Sequence, residues 1–172
     1  MSNIPILSNY YSCSYNLGNI GVIKRREIMT KQEEFDKAYQ NGGFKTVNIR
    51  QKKFYYSCIN GEVETVKRLL QDKWVDPAYD NNLAIRWAAS NGQVETTKLL
   101  LKDKRVDPAS DGSGALRYAS VRGKTDIVKL LLEDGRVDPT AYDSEAINIA
   151  SRYGNKDIVE LLEQAIKERS ND

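Results

Sequence analysis

Histidine is absent from the 172 residues. With it go the commonest general base and the commonest metal ligand. Cysteine is almost absent: Cys13 and Cys58 are the only two, too few to build a structural zinc site by themselves. Both lie in copies of one tetrapeptide, Tyr-Tyr-Ser-Cys, so common descent accounts for them better than a disulfide. No apolar run approaches the roughly 18 residues that cross a bilayer, so no membrane partner is expected. The opening stretch, MSNIPILSNYYSCSYN, has no charged start, sustained apolar segment or small-residue cleavage site. No secretory signal is read, and the expected location is intracellular, in the cytoplasm. A phosphate loop is missing too. Gly112-Ser113-Gly114 and Gly42-Gly43 lack the Lys-Ser/Thr or the strand context such a loop needs, and they read as turn and cap glycines. A strong charge of either sign is lacking: the net is +2, made of +3 in residues 1–50 and −1 in 51–172. Neither part carries the basic footprint of a nucleic-acid binder.

What is present is a period. Gly61, Gly92, Gly123 and Gly154 fall 31 residues apart, and Asp76-Pro77, Asp107-Pro108 and Asp138-Pro139 keep the same spacing. The segments between agree as well: GEVETVKRLLQDKWVDP, GQVETTKLLLKDKRVDP, GKTDIVKLLLEDGRVDP and a closing GNKDIVELLEQ. Self-similarity at such a period is the mark of a stacked repeat. One unit reads as helix, tight turn, helix, loop. Ala84, Ile85, Ala88 and Ala89 share a helical face, and their small side chains admit a neighbouring helix closely. Asn91-Gly92 ends that helix, because both residues tolerate the left-handed conformation of a C-terminal cap. Val94, Leu99, Leu100 and Leu101 supply the apolar face of a second helix, with Lys98 and Lys102 toward water. Val106-Asp107-Pro108 must then leave the helix, since proline lacks a donor and disfavours helical geometry in the residue before it. A pair of helices of about ten residues cannot bury its apolar face alone, so consecutive pairs must stack. The fold expected is all-α.

This unit resembles the ankyrin repeat. LAIRWAA (83–89), GALRYAS (114–120) and EAINIAS (145–151) correspond to that family's first helix, Thr-Pro-Leu-His followed by x-Ala-Ala. GKTDIVKLLL and GNKDIVELL correspond to its Gly-His-x-x-Ile-Val-x-x-Leu-Leu second helix, with GEVETVKRLL and GQVETTKLLL close to them. The resemblance covers about residues 51–168 and implies a solenoid of helix-turn-helix pairs. The departures are a period of 31 residues against about 33, which implies short β-turn fingers, and a slot where histidine is replaced by Arg86, Arg117 and Asn148. The recurrent Arg-Val-Asp-Pro ending resembles ankyrin arrays encoded by giant amoeba-infecting DNA viruses.

The period defines units at about 44–75, 76–106, 107–137 and 138–168, the first without a normal entry finger, followed by a tail at 169–172. The last unit has the polar outer surface of a cap: Lys156, Glu160, Glu163, Gln164, Lys167, Glu168 and Arg169. Residues 1–43 read as a degenerate helical region, disordered in part. YYSCSYNLGNIGVIKRRE (10–27) and AYQNGGFKTV (38–47) echo later units, and Thr30-Lys31-Gln32-Glu33 is a capping box that starts a helix bearing Phe35, Ala38 and Tyr39. Met29 directly before it is an alternative start.

The family typically binds through finger tips and the exposed edges of first helices, which line a concave surface. Carried over by position, the resemblance implies a partner-binding set of Tyr79, Asp80 and Asn82 in one finger, Ser110, Asp111 and Ser113 in the next, and Tyr142 and Ser144 in the third. Ser90, Asn91, Val121, Arg122, Arg152 and Tyr153 extend it along the first helices. These positions differ between units while the packing positions repeat. Tyr79, Arg122, Tyr142 and Tyr153 are the best anchors, since Tyr and Arg dominate interface energetics. Asp76, Asp107 and Asp138 recur one per unit, which fits turns and not a catalytic pair. Trp87 and Tyr118 share the slot filled by Ile149, which fits interhelix packing better than base stacking. The expected function is a non-catalytic protein-interaction module without cofactor or metal, a monomer binding a protein partner. The alternatives are a nucleic-acid-binding repeat protein and a decaying member of a multigene array.

Overall fold

The computed structural model describes residues 48–170. Cys13, the possible start at Met29, the helix expected from Thr30 and the eroded pairs expected over 1–43 lie outside the described residues, as do 171 and 172. Among the described residues eight helices follow one another: α1 (Ile49–Asn60), α2 (Val63–Leu69), α3 (Tyr79–Ser90), α4 (Val94–Lys102), α5 (Ser110–Val121), α6 (Thr125–Asp134), α7 (Ala141–Arg152) and α8 (Lys156–Arg169). No strand occurs among the described residues. Odd-numbered helices are the first of each pair and pack on one another in series, and even-numbered helices form a second layer in the same order. The all-α stack implied by the repeat is therefore what forms.

The small residues do what their spacing requires. Ala84, Ala88, Ala115, Ala119, Ala146 and Ala150 are buried between successive first helices, where Cβ alone separates the backbones. Ile85, Leu116 and Ile149 fill the remaining space with Phe54 and Tyr55 of α1. Tyr55 donates its hydroxyl to the Tyr79 carbonyl at 3.3 Å, and burial pushes that hydroxyl's pKa far above its usual range. Each tight turn is closed by a left-handed glycine, at φ 74° for Gly61 and 73° for Gly92. The next residue's N–H reaches back to the carbonyl five residues earlier, as in Gln93 to Ala88 at 3.0 Å, which satisfies a carbonyl the helix end would otherwise leave open.

The second helices bury one residue in three or four: Val66 and Leu69, Leu100, Ile127, Val128 and Leu131, Ile158 and Leu162. In α4 the expected face of Val94, Leu99, Leu100 and Leu101 is corrected. Only Leu100 is fully enclosed, the other three are half-buried, and Thr96 and Thr97 occupy the inner positions.

Two sets of bonds tie neighbouring units. In the loops, Val75, Val106 and Val137 are buried, and each following aspartate accepts from the N–H two residues on: Asp76 from Ala78 at 2.9 Å, Asp107 from Ala109 at 3.0 Å and Asp138 from Thr140 at 2.8 Å. The aspartate's own N–H donates back to a side chain of the preceding first helix, at 2.7 Å to Gln51, 2.8 Å to Asn82 and 2.8 Å to Ser113. The second set comes from the arginine before Val-Asp-Pro. Arg105 donates to the carbonyls of Leu70 at 2.8 Å and Val75 at 3.3 Å. Arg136 donates to those of Leu101 at 2.8 Å and Val106 at 2.9 Å. Each guanidinium thus caps the end of the second helix in the unit before it, while Asp103 or Asp134 holds it from the other side. Arg169, at the end of α8, closes the series by donating to Val137 at 2.8 Å.

Candidate partner-binding site

The three fingers have a conformation the sequence did not indicate. Asp80, Asn81 and Asn82, then Asp111, Gly112 and Ser113, then Tyr142, Asp143 and Ser144 all have φ between 51° and 61°. Three left-handed residues in a row make one turn of left-handed helix, closed by bonds such as Ser113 N–H to the Ala109 carbonyl at 2.8 Å. The short period is met this way in place of the expected β-turns. L-residues pay roughly 1–2 kcal/mol each for that region, and Gly, Asn and Asp least, which accounts for the finger composition. Ser113 and Ser144 depart from it with a small polar side chain, and Tyr142 is the one bulky exception.

A left-handed turn running into a right-handed helix leaves carbonyls without intrahelical partners, and the residues in the histidine slot take them up. Arg86 donates to the Asp80 carbonyl at 2.8 Å. Arg117 donates to those of Asp111 at 2.9 Å and Gly112 at 3.3 Å, and Asn148 donates to that of Asp143 at 3.1 Å. The arginines also join fingers: Arg86 pairs with Asp111 of the next unit at 3.1 Å, Arg117 pairs with the same carboxylate at 3.3 Å and with Glu145 at 2.8 Å. Arg86 is only 5% exposed and Asp111, Arg117 and Glu145 are half-buried, so this chain of charges locks neighbouring fingers together.

That lock revises the expected binding set. Asp111 is committed to two guanidinium groups. Asn82 and Ser113 are buried and accept from the next loop's aspartate N–H. These three side chains hold the stack together, Asn82 and Ser113 from buried positions and Asp111 from a half-buried one. Ser144 occupies the same slot in the last described unit, half-buried. Asp80, Ser90, Asn91, Ser110 and Val121 are also half-buried, with the Asn91 amide donating to the Trp87 carbonyl at 2.9 Å. Tyr79, Arg122, Tyr142, Arg152 and Tyr153 are exposed. Trp87 and Tyr118 are half-buried beside the fully buried Ile149, in keeping with a packing role.

Tyr142 is 61% exposed yet held from two sides. The Arg117 guanidinium lies 5.0 Å from its ring centroid, and the ring rests on Gly112, where a Cβ would overlap it. An exposed aromatic fixed in this way loses little side-chain entropy on binding.

Among the described residues no group of three or more His, Cys, Asp and Glu side chains could hold a metal ion, and no helix is long and apolar enough to cross a membrane. Cys58 is buried, and burial raises its thiol pKa, which leaves it a packing residue.

A solenoid of helix pairs whose variable residues gather on fingers and first helices defines a repeat interaction module. A family model described as ankyrin repeats (3 copies) matches residues 85–172, and the chain belongs to that family, a general protein–protein interaction module that is typically non-catalytic. Among solved structures, the fold is similar to a chain in the crystal structure of the yeast ribosomal protein Rps3 in complex with its chaperone Yar1. The identity is 24% and the TM-score 0.53, covering 64% of this chain and 89% of that one. No match is found among curated proteins.

Proposed function

We propose that this protein is a binding module without catalytic activity, which holds a protein partner on its fingers and first helices and is anchored by Tyr142. The observation that carries the reading is that Tyr142 departs from the rule its own fold sets. In the equivalent position the other fingers have Asp80 and Asp111, which suit a left-handed backbone. A bulky side chain at positive φ is an outlier that persists only when the surroundings over-determine it, and such strain collects at functional sites. Here it supports a tyrosine kept for what its outward ring contacts. Tyr153, 43% exposed in the same unit, and Tyr79, 38% exposed two units earlier, extend the surface. On this reading the protein acts as a monomer inside a cell, and the giant-virus resemblance of its Arg-Val-Asp-Pro endings would make that cell an infected host.

The test is proximity labelling in parallel with affinity capture, comparing the full chain with a Tyr79→Ala, Tyr142→Ala, Tyr153→Ala variant of matched thermal stability. Loss of the captured partners is expected. If every partner survives the triple change, the assigned surface is wrong.

A further inference from the structure

Asparagine is followed by glycine at three places, Asn41-Gly42, Asn60-Gly61 and Asn91-Gly92. The first pair lies outside the described residues. The other two hold the same slot of the 31-residue repeat, at the end of a first helix, where the later units have Arg122 and Tyr153. Such a pair is the least hindered setting for attack by a backbone nitrogen on the asparagine carboxamide, because glycine has no Cβ to obstruct the approach. Both nitrogens are engaged in the helix end: Gly61 N–H donates to the Ser57 carbonyl and Gly92 N–H to the Ala89 carbonyl at 3.1 Å. The side chains differ. Asn91 is half-buried and its amide donates to the Trp87 carbonyl at 2.9 Å, which turns the carboxamide back along α3. Asn60 is exposed, and its carboxamide has no such bond among the described residues.

We infer that Asn60 is a site of spontaneous deamidation and that Asn91, in the same slot, is protected from it. Fraying of the last turn of α1 releases the Gly61 nitrogen. That nitrogen gives its proton to hydroxide and bonds to Cγ of Asn60, the carboxamide C–N bond breaks, and ammonia leaves with a proton taken from water. Water then opens the cyclic imide at either carbonyl. One opening leaves aspartate, the other isoaspartate, whose side-chain carbon has joined the main chain; no electrons are transferred. The product acts on the joint between the first two units. A new carboxylate stands at the C-terminal end of α1, where the helix dipole disfavours negative charge, with the exposed Glu62 and Glu64 close by in the chain. The isoaspartate form also lengthens the backbone inside a turn closed by Glu62 N–H to the Ser57 carbonyl at 2.9 Å. Gln93 of the next unit lies over Gly61 and donates to the Ile59 carbonyl at 2.8 Å, so a displaced turn loosens the contact between units.

The experiment incubates the full-length chain at physiological pH and temperature and follows the peptides that contain Asn60 and Asn91 by mass spectrometry, beside the same chain in denaturant. In denaturant the two pairs should convert at similar rates. In the folded chain Asn60 should convert faster than Asn91 by roughly three- to tenfold, the rate equivalent of one net hydrogen bond. A methyltransferase that recognises isoaspartate should label the aged chain in the Asn60 peptide and leave that peptide of the Asn60→Gln variant unlabelled. Aged protein, separated by charge in an Asn41→Gln background so that the first pair does not contribute, should melt below the fresh chain. Asn60→Asp should reproduce the part of that fall due to charge. Equal rates at the two pairs in the folded chain overturn the inference, as does an Asn60 that stays intact while the denatured chain converts. Aged protein that melts with the fresh chain overturns the effect on the joint.

Discussion

Thr97 shows how much one hydroxyl costs in a stack. Its Oγ1 is buried with no hydrogen-bond partner, while the equivalent positions in neighbouring units are Val66 and Val128, both fully buried. Water would have satisfied that hydroxyl in the unfolded chain, and nothing replaces it on folding. Thr97→Val keeps the shape and removes the penalty, so the urea midpoint should rise by an amount corresponding to about 1 kcal/mol. A fall would mean that the hydroxyl has a partner in solution. Asp103 poses the opposite case. Its bond from the Arg105 side chain holds its carboxyl below the usual carboxylate range. A lowered folded-state pKa adds stability that is fully present above the unfolded value of about 3.9 and is lost as pH falls through the folded value. Asp103→Asn should therefore lower Tm at pH 7, and the gap from the unsubstituted chain should close as pH falls below about 4. A gap that stays constant to low pH would detach the carboxylate from this role.

At the level of elements, the fingers set stability against use. Tyr142→Asp installs the residue of the equivalent positions, relieving a strained backbone of roughly 1–2 kcal/mol while giving up a cation–π contact of about 0.5–1 kcal/mol. Stability should hold or rise slightly, and partner capture should fall. Such an exchange of activity for stability is common where function keeps strain in place. Thermal unfolding beside the capture assay checks it, and a loss above about 1 kcal/mol would show that the ring is mainly structural. The finger conformation was not legible in the sequence. Asp-Asn-Asn, Asp-Gly-Ser and Tyr-Asp-Ser share a turn-prone composition that fits many turn types, and this one is held by Arg86, Arg117 and Asn148 five or six residues later. The slot of those residues was visible, but what they bind was not. The tight turns were legible, because a left-handed glycine is a local requirement met within one residue.

Across the whole molecule, the bonds between units recur at constant offsets. The loop aspartates reach back 25 residues and the arginine clips 30 and 35. Deleting residues 107–137 therefore returns Asp138 to Asn82, Asn155 to the end of α3 and Arg169 to Val106, losing the finger carboxylate of Asp111. The shortened chain should melt in one cooperative transition at a lower midpoint, as expected for a stack stabilised by nearest-neighbour interfaces. A broad, non-cooperative melt would mean that the units are not interchangeable.

The sequence alone determined the period, the helix pairs, the caps and the family, because glycine, proline and alanine act through backbone geometry and size within a few residues of themselves. It also supplied the variable positions. Tertiary structure decided which of these face outward. Asn82, Ser113 and the half-buried Asp111 vary in the sequence yet serve the joints between units, since an amide, a hydroxyl or a carboxylate can each serve a hydrogen bond to a partner about 25 residues away. Tyr142, Tyr79, Tyr153, Arg122 and Arg152 are exposed. Side-chain type was readable from the start, but which groups find a partner inside depends on stacking, which only the folded array defines.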